Sequence, residues 1–542
     1  MRGGIESGME GFWSRVGILG RGEEGGGLMQ GGLFVTLSWH AKAFSSPPTV
    51  GEARLTIFNG RATISCPFYP HSCIMYMQKI LNKPPAFHIT LLLATLAPLY
   101  IGSYQYRLRH PSGLTKHHPT TEPPATASAT LIRDWLAVHV VDPFNPSPIA
   151  TYCNQTVWRP RLVFNLVDAN GGIGNIRGNF LDFLFYAIEA GASIMLPSMA
   201  TRSAADLSNV WASRGDFDLF FDEDWFLSAL AQACPQMAVY KPRPELGMVE
   251  RLPGTYSPPS RRMDVDAGNS REAFRRHLGE WLREQGAEEE GGMMTAEEEE
   301  GGKVVLVNVG RTLWEVDTRS LPPGFRRNFG QLLRINPVIR RLAALVVQQL
   351  ATQRNLPIDP RVAIPPHAFY AAHLRTEADA QAIGWLDEPY TNFSAQTDAY
   401  IAHALHHHPG LRTLYVSSGS ADEISRFAAK AAAHAPPLTV LSKHSLLPPQ
   451  AMRDLDALSW DQQALVDFEV LHRASVFGGF VKSSFSYNIA MTRAQWGEDR
   501  GRVVEPWRVV HEEVGVAFDD GLSRVVGRDG WHEGRIPRGM WP

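Results

Sequence analysis

The sequence has few cysteines, almost no net charge and a single long apolar run without charged residues. Its cysteines include no CxxC pair and no Cys/His spacing typical of zinc, which argues against a zinc module or a disulfide scaffold. A formal net charge of −3 lacks the basic excess of a nucleic-acid binder, so we expect no nucleic-acid partner. At 542 residues the chain is too long for one ordinary core, and we expect two domains with appendages.

The long apolar run is Ala86–Ser103, AFHITLLLATLAPLYIGS. It is about as long as a bilayer-spanning helix, and it predicts a single-pass signal-anchor of type II topology. A cleaved signal peptide stays open as an alternative if translation starts near Met77. We therefore expect a membrane-held protein whose large C-terminal region lies in the lumen of the Golgi or ER. In such an oxidising lumen Cys153 and Cys234 are able to pair, although nothing in the sequence brings them together.

Composition divides the rest of the chain into folded and unfolded parts. Residues 1–85 are rich in glycine and predict a disordered cytoplasmic tail, or a gene start placed too early. Residues 104–130, rich in His, Pro, Ser and Thr, predict a stem. After the stem we expect an N-terminal Rossmann-like domain at 131–350 with an acidic low-complexity insertion at 256–302, a C-terminal nucleotide-binding Rossmann-like domain at 351–500, and a tail at 501–542.

Short apolar strands alternate with amphipathic helices in both halves of the chain. Strands are expected at 161–167, 193–196, 303–309, 411–418, 438–441 and 476–481 and before His373, with helices that include 335–350, 421–433 and 461–474. Alternation of this kind predicts a parallel sheet covered by helices on both faces. The expected class is therefore α/β, with two Rossmann-type halves facing a cleft.

Three polar segments follow predicted strands. In open α/β sheets, ligands bind outside the carboxyl ends of the strands. A helix N-terminus and the fork of an arginine both suit an anionic ligand. The three segments are the glycine turn Gly171–Arg177, the strand end His373–Arg375 followed by Glu377, and the serine-rich turn Ser483–Ser486.

Other patterns compete with this interpretation. Gly172-x-Gly174 opens a helix after a strand, but the next glycine, Gly178, is one position late for a dinucleotide fingerprint. Asp216-Phe-Asp218 and Asp222-Glu-Asp224 have the DxD form with which many glycosyltransferases hold a metal and nucleotide. For the second we favour a helix cap at Asp222. Arg375 could also be an ordinary residue that forms a surface ion pair with Glu377.

Taken in this order, the segments resemble the GDP-fucose protein O-fucosyltransferase family. Its members typically carry a G-G-x-x-N-x-R-like turn, an H-x-R strand end followed by acidic residues, and a late region ending in S-S-F-S. The similar segments here are Gly171–Arg177, His373–Asp379 and Asp467–Ser486, within roughly 162–493. The resemblance implies a GT-B-like fold, a nucleotide held mainly by the C-terminal half, and no required metal or other cofactor.

The resemblance also implies a reaction, namely inverting, metal-independent transfer of fucose from GDP-fucose to Ser or Thr of a protein. Arg375 is the expected catalytic residue, because without a metal the departing diphosphate needs a guanidinium. The expected substrate- or nucleotide-binding residues are His373, Gly172, Asn175, Arg177, Glu377, Asp467, Ser483, Ser484, Phe485 and Ser486.

The catalytic base is not identified by the sequence. Some branches of the family carry a glutamate in the glycine turn, and Gly171-Gly172-Ile173 has none. Two alternatives therefore stay open. One is transfer of fucose or another GDP-linked sugar to a glycan, as in α1,6-type enzymes, and the other is a lumenal module that binds the nucleotide without turnover.

Overall fold

The computed structural model describes residues 35–39, 53–57, 60–64, 127–137, 143–241, 249–259, 263–264, 270–287, 304–498, 514–528 and 535–542. The chain divides into two compact units, residues 1–121 and 122–542. The expected transmembrane span at 86–103 lies outside the described residues. Among the residues that are described, no helix is long and apolar enough to cross a bilayer.

Strands and helices alternate through most of the second unit, and the first three strands given next belong to the first unit. The strands are β1 (Val35–Trp39), β2 (Ala53–Ile57), β3 (Gly60–Ile64), β4 (Leu162–Leu166), β5 (Ser193–Met195), β6 (Met199–Thr201), β7 (Ser213–Gly215), β8 (Val239–Tyr240), β9 (Val249–Tyr256), β10 (Val304–Val309), β11 (Tyr370–His373), β12 (Thr413–Ser417), β13 (Thr439–Leu441), β14 (Val476–Phe480), β15 (Val516–Asp519) and β16 (Ser523–Val526). The helices are α1 (Ala127–Ala137), α2 (Ser147–Cys153), α3 (Ile173–Ala190), α4 (Glu223–Ala233), α5 (Ser270–Glu284), α6 (Pro323–Gly330), α7 (Pro337–Arg354), α8 (Ala378–Ala382), α9 (Phe393–His407), α10 (Ala421–Ala432), α11 (Lys443–Leu446), α12 (Pro449–Asp456), α13 (Trp460–His472), α14 (Ser484–Glu498) and α15 (Arg535–Arg538).

In the first unit, β1, β2 and β3 form an antiparallel sheet in that order. Each strand alternates apolar and polar or small residues, as in VTLSW and ARLTI, and this period of two favours a strand. The sheet lies within residues 1–85, where we expected a disordered tail. That expectation weighed the glycine content and overlooked these short alternating runs.

The second unit contains two parallel sheets. The N-terminal sheet has the order β8-β5-β4-β10-β9, and each pair of neighbours is parallel. The C-terminal sheet has the order β13-β12-β11-β14-β16-β15, parallel except where β15 meets β16. The α/β class is therefore confirmed. The strands β4 and β11 each lie between two other strands in the middle of their sheet, which explains their nearly continuous apolar sequences.

Two segments expected to lie outside the folded core are part of it. Within the acidic insertion at 256–302, α5 buries Phe274, Leu278 and Leu282, which recur every four residues and form one apolar face. Within the tail at 501–542, β15 and β16 complete the C-terminal sheet. In the insertion, charged residues outnumber apolar ones and conceal the narrow apolar face of α5. In the tail, β15 and β16 are strands of only four residues each, which is too short for a clear pattern.

The pairing that the sequence left open is formed, because Cys153 and Cys234 make a disulfide with their Cα atoms 5.6 Å apart. Cys153 ends α2 and Cys234 follows α4, so the bond links these two helices through cysteines that are 81 residues apart in sequence. Closing a loop of that length restricts the unfolded chain and stabilises the fold by about 4 kcal/mol in the chain-entropy description.

The last residues of the sequence are buried against the N-terminal half. Trp541 has no exposed surface, and its indole N–H donates a hydrogen bond of 2.7 Å to Asp182 on α3. Its ring lies 4.6 Å from that of Phe329 and 5.9 Å from that of Phe185. This segment therefore joins the core of the second unit.

We predict that Trp541→Ala lowers the free energy of unfolding by about 3–5 kcal/mol, because it leaves a large cavity and removes a donor from buried Asp182. Urea unfolding of the full chain measures the change. The matched control is Trp211→Ala, since Trp211 is 41% exposed, and its expected change is within about 0.5 kcal/mol. Equal effects of the two substitutions would contradict the structural role of Trp541.

Candidate active site

The glycine turn and the serine-rich turn meet where α3 and α14 begin. A Cβ atom on Gly174 would lie 2.7 Å from the main-chain nitrogen of Phe485, so only glycine permits this approach. Gly171 has a φ of +100°, which also favours glycine. Two helix N-termini, whose first main-chain N–H groups have no acceptor within their own helix, therefore come together at one place. Such a place favours a negatively charged ligand.

His373 ends β11 beside the start of α14. Its Nδ1 lies 2.8 Å from Oγ of Ser486, and its ring packs 4.7 Å from that of Phe485. Ser486 Oγ already accepts a bond from the N–H of Phe480, so its proton is available to His373 Nδ1. Burial lowers the pKa of His373 from 6.5 to about 4. A neutral ring that carries its proton on Nε2 fits these contacts, and Nε2 is then a donor for a ligand.

Arg375 is clamped between two carboxylates. Its Nη1 donates to Glu377 at 2.6 Å and to Asp379 at 2.8 Å, and its Nη2 donates to Asp379 at 2.6 Å. The side chain is only 13% exposed, so the ion pair that we considered as the ordinary alternative is present but largely buried. Although burial opposes it, the carboxylate partners raise the pKa of Arg375. The guanidinium is therefore permanently charged and fixed in direction.

A second set of contacts fixes the main chain of Arg375. The side chain of Gln396, on α9, accepts from its N–H at 3.0 Å and donates to its carbonyl at 3.1 Å. The ring of Trp385 lies 5.7 Å from the guanidinium carbon. The residue after β11 is thus held through both its side chain and its backbone, which pre-organises the donor fork.

Glu377 joins the strand end to the neighbouring loop. One of its oxygens binds Arg375, and the other accepts from the N–H of Gly419 at 2.8 Å, after β12. Burial opposes ionisation, but Arg375 outweighs it and lowers the pKa of Glu377. Protein donors engage both oxygens, so Glu377 supports the position of Arg375, and its contact with the nucleotide stays a prediction.

Asp467 is also engaged within the protein. It lies on α13 and accepts from Tyr415 at 2.5 Å, from Ser417 at 3.0 Å and from Lys443 at 2.6 Å. The carboxylate is buried beneath the end of β12. These contacts form a buried ion pair that positions α13 on the sheet, and a nucleotide contact by Asp467 stays a prediction.

The two polar residues of the glycine turn lie in different surroundings. Oδ1 of Asn175 is buried without a hydrogen-bond partner in the described part of the chain. Leaving an acceptor in that state costs about 1–3 kcal/mol, which a donor from a ligand would recover. A role of Asn175 in binding a ligand stays a prediction.

Arg177 does not face the cleft as we expected. Its guanidinium donates to the carbonyl oxygens of Gly330, Trp541 and Pro542 at 2.7–3.1 Å, and burial lowers its pKa to about 10. It lies one helical turn inside α3, where the last residues of the sequence cover it. The role predicted for Arg177 is corrected to holding that segment in place.

One cleft residue was missed by the sequence analysis. Arg202 follows β6, and a Cβ on Gly172 would lie 3.1 Å from its Nη2. It pairs with buried Asp461 and stacks on Trp460, both at the start of α13. The sequence signal was an arginine directly after a short strand. It went unnoticed because β6 follows Pro197 and has only three residues.

The second DxD segment forms the helix cap that we favoured. Asp222 accepts a bond of 3.0 Å from the N–H of Trp225 at the start of α4, and the neighbouring Phe221 and Phe226 are buried. In the residues that the structure describes, no group of three or more His, Cys, Asp or Glu side chains is arranged to hold a metal ion.

Comparison with known families agrees with this geometry. The family model described as GDP-fucose protein O-fucosyltransferase matches residues 164–495, which is well over half of the chain. The chain belongs to this family. It is therefore a glycosyltransferase of the O-fucosyltransferase family, and the glycine turn, His373–Arg375 and Ser483–Ser486 all lie within the matched region.

The individual similarities are distant. POFUT1 in complex with GDP is 13% identical, with 62% of this chain and 96% of that chain covered and a TM-score of 0.36. A point mutant of Arabidopsis thaliana FUT1 with GDP is 11% identical, with 70% and 79% covered and a TM-score of 0.30. NodZ from Bradyrhizobium is 14% identical, with 62% and 92% covered and a TM-score of 0.32. No curated protein sequence matches the chain. Membership of the O-fucosyltransferase family depends on the match over residues 164–495.

We predict a pH dependence of stability that comes from His373. The native ring binds a proton only near pH 4, whereas the unfolded ring binds one near 6.5. As the pH falls, the unfolded state therefore binds this proton before the native state does. The free energy of unfolding consequently decreases as the pH is lowered from 6.5 towards 4. One such group contributes a slope of at most about 1.4 kcal/mol per pH unit.

The measurement is urea unfolding at several pH values for the wild type and for His373→Gln. The variant should lose less stability across this window, because it lacks the group that titrates. Other buried histidines, such as His472, contribute equally to both proteins and cancel in the difference. Identical pH slopes would contradict the lowered pKa of His373.

Proposed function

We propose that this protein transfers fucose from GDP-fucose to Ser or Thr of a protein acceptor, with inversion at the sugar and without a metal. The observation that carries this proposal is the position of Arg375, whose buried guanidinium lies at the end of β11 with its side chain and backbone fixed. It stands in the same cleft as the N-termini of α3 and α14, in a chain of the O-fucosyltransferase family.

Arg375 still has donors available for the nucleotide. A guanidinium carries five N–H donors, and three of them are used by Glu377 and Asp379, so two remain. Two donors on one plane suit the oxygens of a phosphate. The two carboxylates hold this plane in one direction, so little rotational freedom is lost when the donor substrate binds.

The chemistry follows from where charge develops. When the bond between fucose C1 and the β-phosphate oxygen breaks, its electron pair stays on GDP. Fixed N–H donors from Arg375, from His373 Nε2 and from the first turn of α14 stabilise that charge more in the transition state than in the ground state. Ser484 and Phe485, in that first turn, are the proposed neighbours of the diphosphate.

Because the glycine turn has no base, we favour a transition state in which the bond from the sugar to GDP is largely broken before the acceptor attacks. Glu377 and Asp379 are weak bases, because Arg375 counteracts their burial and lowers the pKa of each carboxylate. An acceptor hydroxyl that attacks a cationic sugar needs little deprotonation beforehand. Asn175, with its unsatisfied Oδ1, is the proposed group that orients this hydroxyl from the N-terminal half.

The disulfide between Cys153 and Cys234 supports a location in the secretory pathway, since such bonds persist in oxidising compartments. We propose a lumenal active site in the Golgi or ER and a membrane anchor at residues 86–103. Transfer to a glycan is the second candidate, and it uses the same donor site.

We predict that the full chain binds GDP in the presence of EDTA and that Arg375→Ala weakens binding about a hundredfold, the loss expected for removing charge-assisted hydrogen bonds. Isothermal calorimetry with GDP and GDP-fucose, with and without EDTA, measures this. The matched control is Arg361→Ala, because Arg361 forms the same kind of ion pair with a nearby carboxylate, Asp359, on the surface. Its affinity for GDP should not change.

Thermal unfolding of Arg375→Ala and of Arg375→Lys separates loss of binding from loss of folding. The lysine variant keeps a cation between Glu377 and Asp379 but cannot form a fork, so it should fold and bind GDP weakly. GDP binding that requires a divalent ion, or no binding by the wild type, would overturn the proposed donor site.

We also predict that label from radioactive GDP-fucose is incorporated into protein acceptors and is released by alkaline β-elimination, the behaviour of a sugar linked to Ser or Thr. Label released instead by enzymes that remove N-glycans would favour the glycan acceptor. Turnover should persist in EDTA. GDP binding without transfer to any acceptor would support a nucleotide-binding module that has lost catalysis.

A further inference from the structure

Arg202 brings a second guanidinium into the cleft from the N-terminal half of the unit. Its main-chain N–H donates to Oδ2 of Asp461 at 2.7 Å, and its Nε donates to Oδ1 at 3.2 Å. Its guanidinium carbon lies 4.5 Å above the ring of Trp460. Asp461 is completely buried. It holds Arg202 at the main chain and at Nε, and Trp460 covers one face of the guanidinium.

The outer end of Arg202 is available to a ligand. Nη1 and Nη2 make no hydrogen bond to any residue that the structure describes, and the side chain is 14% exposed. Arg375 has fewer donors left, because Glu377 and Asp379 already accept from both of its Nη atoms. The two arginines therefore differ in how many donors a ligand could use.

Charge gives a second reason to consider Arg202. Arg375 with its two ionised carboxylates carries a net charge of −1, so this group alone offers no excess positive charge to a diphosphate. Arg202 is a further cation in this region, and its charge contributes, after Arg375, to lowering the pKa of Asp379.

The glycine turn leaves space for this guanidinium. Gly172 is the residue that precedes α3, and a Cβ on it would lie 3.1 Å from Nη2 of Arg202. The φ of Gly172 is −68°, a value that any residue adopts, so the backbone does not require glycine there. The contact with Arg202 gives a separate reason for the missing side chain.

We propose that Arg202 is a second donor-binding residue, which contacts the diphosphate of the GDP-sugar from the N-terminal half while Arg375 contacts it from the C-terminal half. This inference rests on the proposed function. Trp460 and Asp461 position the guanidinium, and Gly172 leaves room for it. With both arginines in place, the diphosphate lies between two cations on opposite sides of the cleft.

The transfer step then has a defined charge balance. The bond between C1 and the β-phosphate oxygen breaks with its electron pair left on GDP, the acceptor oxygen forms a bond to C1, and the hydroxyl proton passes to water. Arg202 donates N–H groups to the oxygen that receives the electron pair. Its effect on binding should therefore depend on the β-phosphate, which GDP has and GMP and guanosine lack.

The test is calorimetry on the full chain with GDP, GMP and guanosine, for wild type, Arg202→Gln and Gly172→Ala. Arg202→Gln removes the charge, and GDP should bind about tenfold more weakly or worse, as expected for a charge-assisted contact. Guanosine affinity should change less than twofold. Gly172→Ala keeps Asp461 paired but displaces the guanidinium, so it should also weaken GDP selectively.

The matched control is Arg271→Gln. Arg271 also stacks on an aromatic ring, Tyr152, at 4.6 Å and also pairs with a fully buried carboxylate, Glu189. Glu189 lies near the far end of α3, about 24 Å along the helix from the glycine turn at 1.5 Å per residue. Affinity for GDP should therefore be unchanged in this variant, although its stability falls as that of Arg202→Gln does.

The outcomes separate this inference from the function on which it rests. If the wild type does not bind GDP, the donor site itself fails and this inference fails with it. If the wild type binds GDP and Arg202→Gln binds it equally well, only the role of Arg202 is overturned. Equal weakening of GDP, GMP and guanosine would assign Arg202 a purely structural role and would likewise overturn it.

Discussion

The cleft of this protein depends on one buried cation at a strand end. Arg375 follows β11, a strand in the middle of the C-terminal sheet. Two carboxylates and a glutamine hold it in one orientation. Glu377 extends that clamp to the loop after β12, and His373 extends it to the first turn of α14. A buried charge is costly unless it is paired, so the loops around Arg375 must keep their positions for the cation to be tolerated. The contacts that stabilise the ion pairs of Arg375 also fix the direction of its remaining N–H donors.

The N-terminal half completes the cleft through contacts with little tolerance. Gly174 brings the start of α3 against the start of α14, at a distance that no side chain would permit. Arg177 and Trp541 then tie the last residues of the sequence to α3, so the helix that carries the glycine turn is held from behind. Arg202, which pairs with Asp461, lies beside Gly172 where that helix begins. Helix termini, glycines and arginines from both halves therefore converge, although none of these residues alone identifies a nucleotide site.

The fold class and the strand ends followed from sequence pattern, because alternation of apolar strands with amphipathic helices is a local signal. β12, predicted at 411–418, spans Thr413–Ser417, and α13, predicted at 461–474, spans Trp460–His472. The errors occurred where composition concealed a narrow apolar face. The helix α5 lies within an acidic segment, and β15 and β16 lie in a stretch that we took for a tail. The apolar face of α5 consists of three side chains among many charged residues, and β15 and β16 have only four residues each.

The sequence by itself determined the family, the order of the three polar segments and the kind of chemistry that an arginine at a strand end can perform. It did not determine which polar side chains are available to a ligand. Arg177, Asp467 and Glu377 carry suitable groups, but protein partners far away in sequence already engage them. The sequence analysis did not single out Arg202, yet its Nη1 and Nη2 have no hydrogen-bond partner among the described residues and are proposed to bind the ligand. A hydrogen-bonding group can be used once, and only the packing of distant segments decides whether the protein or the substrate uses it.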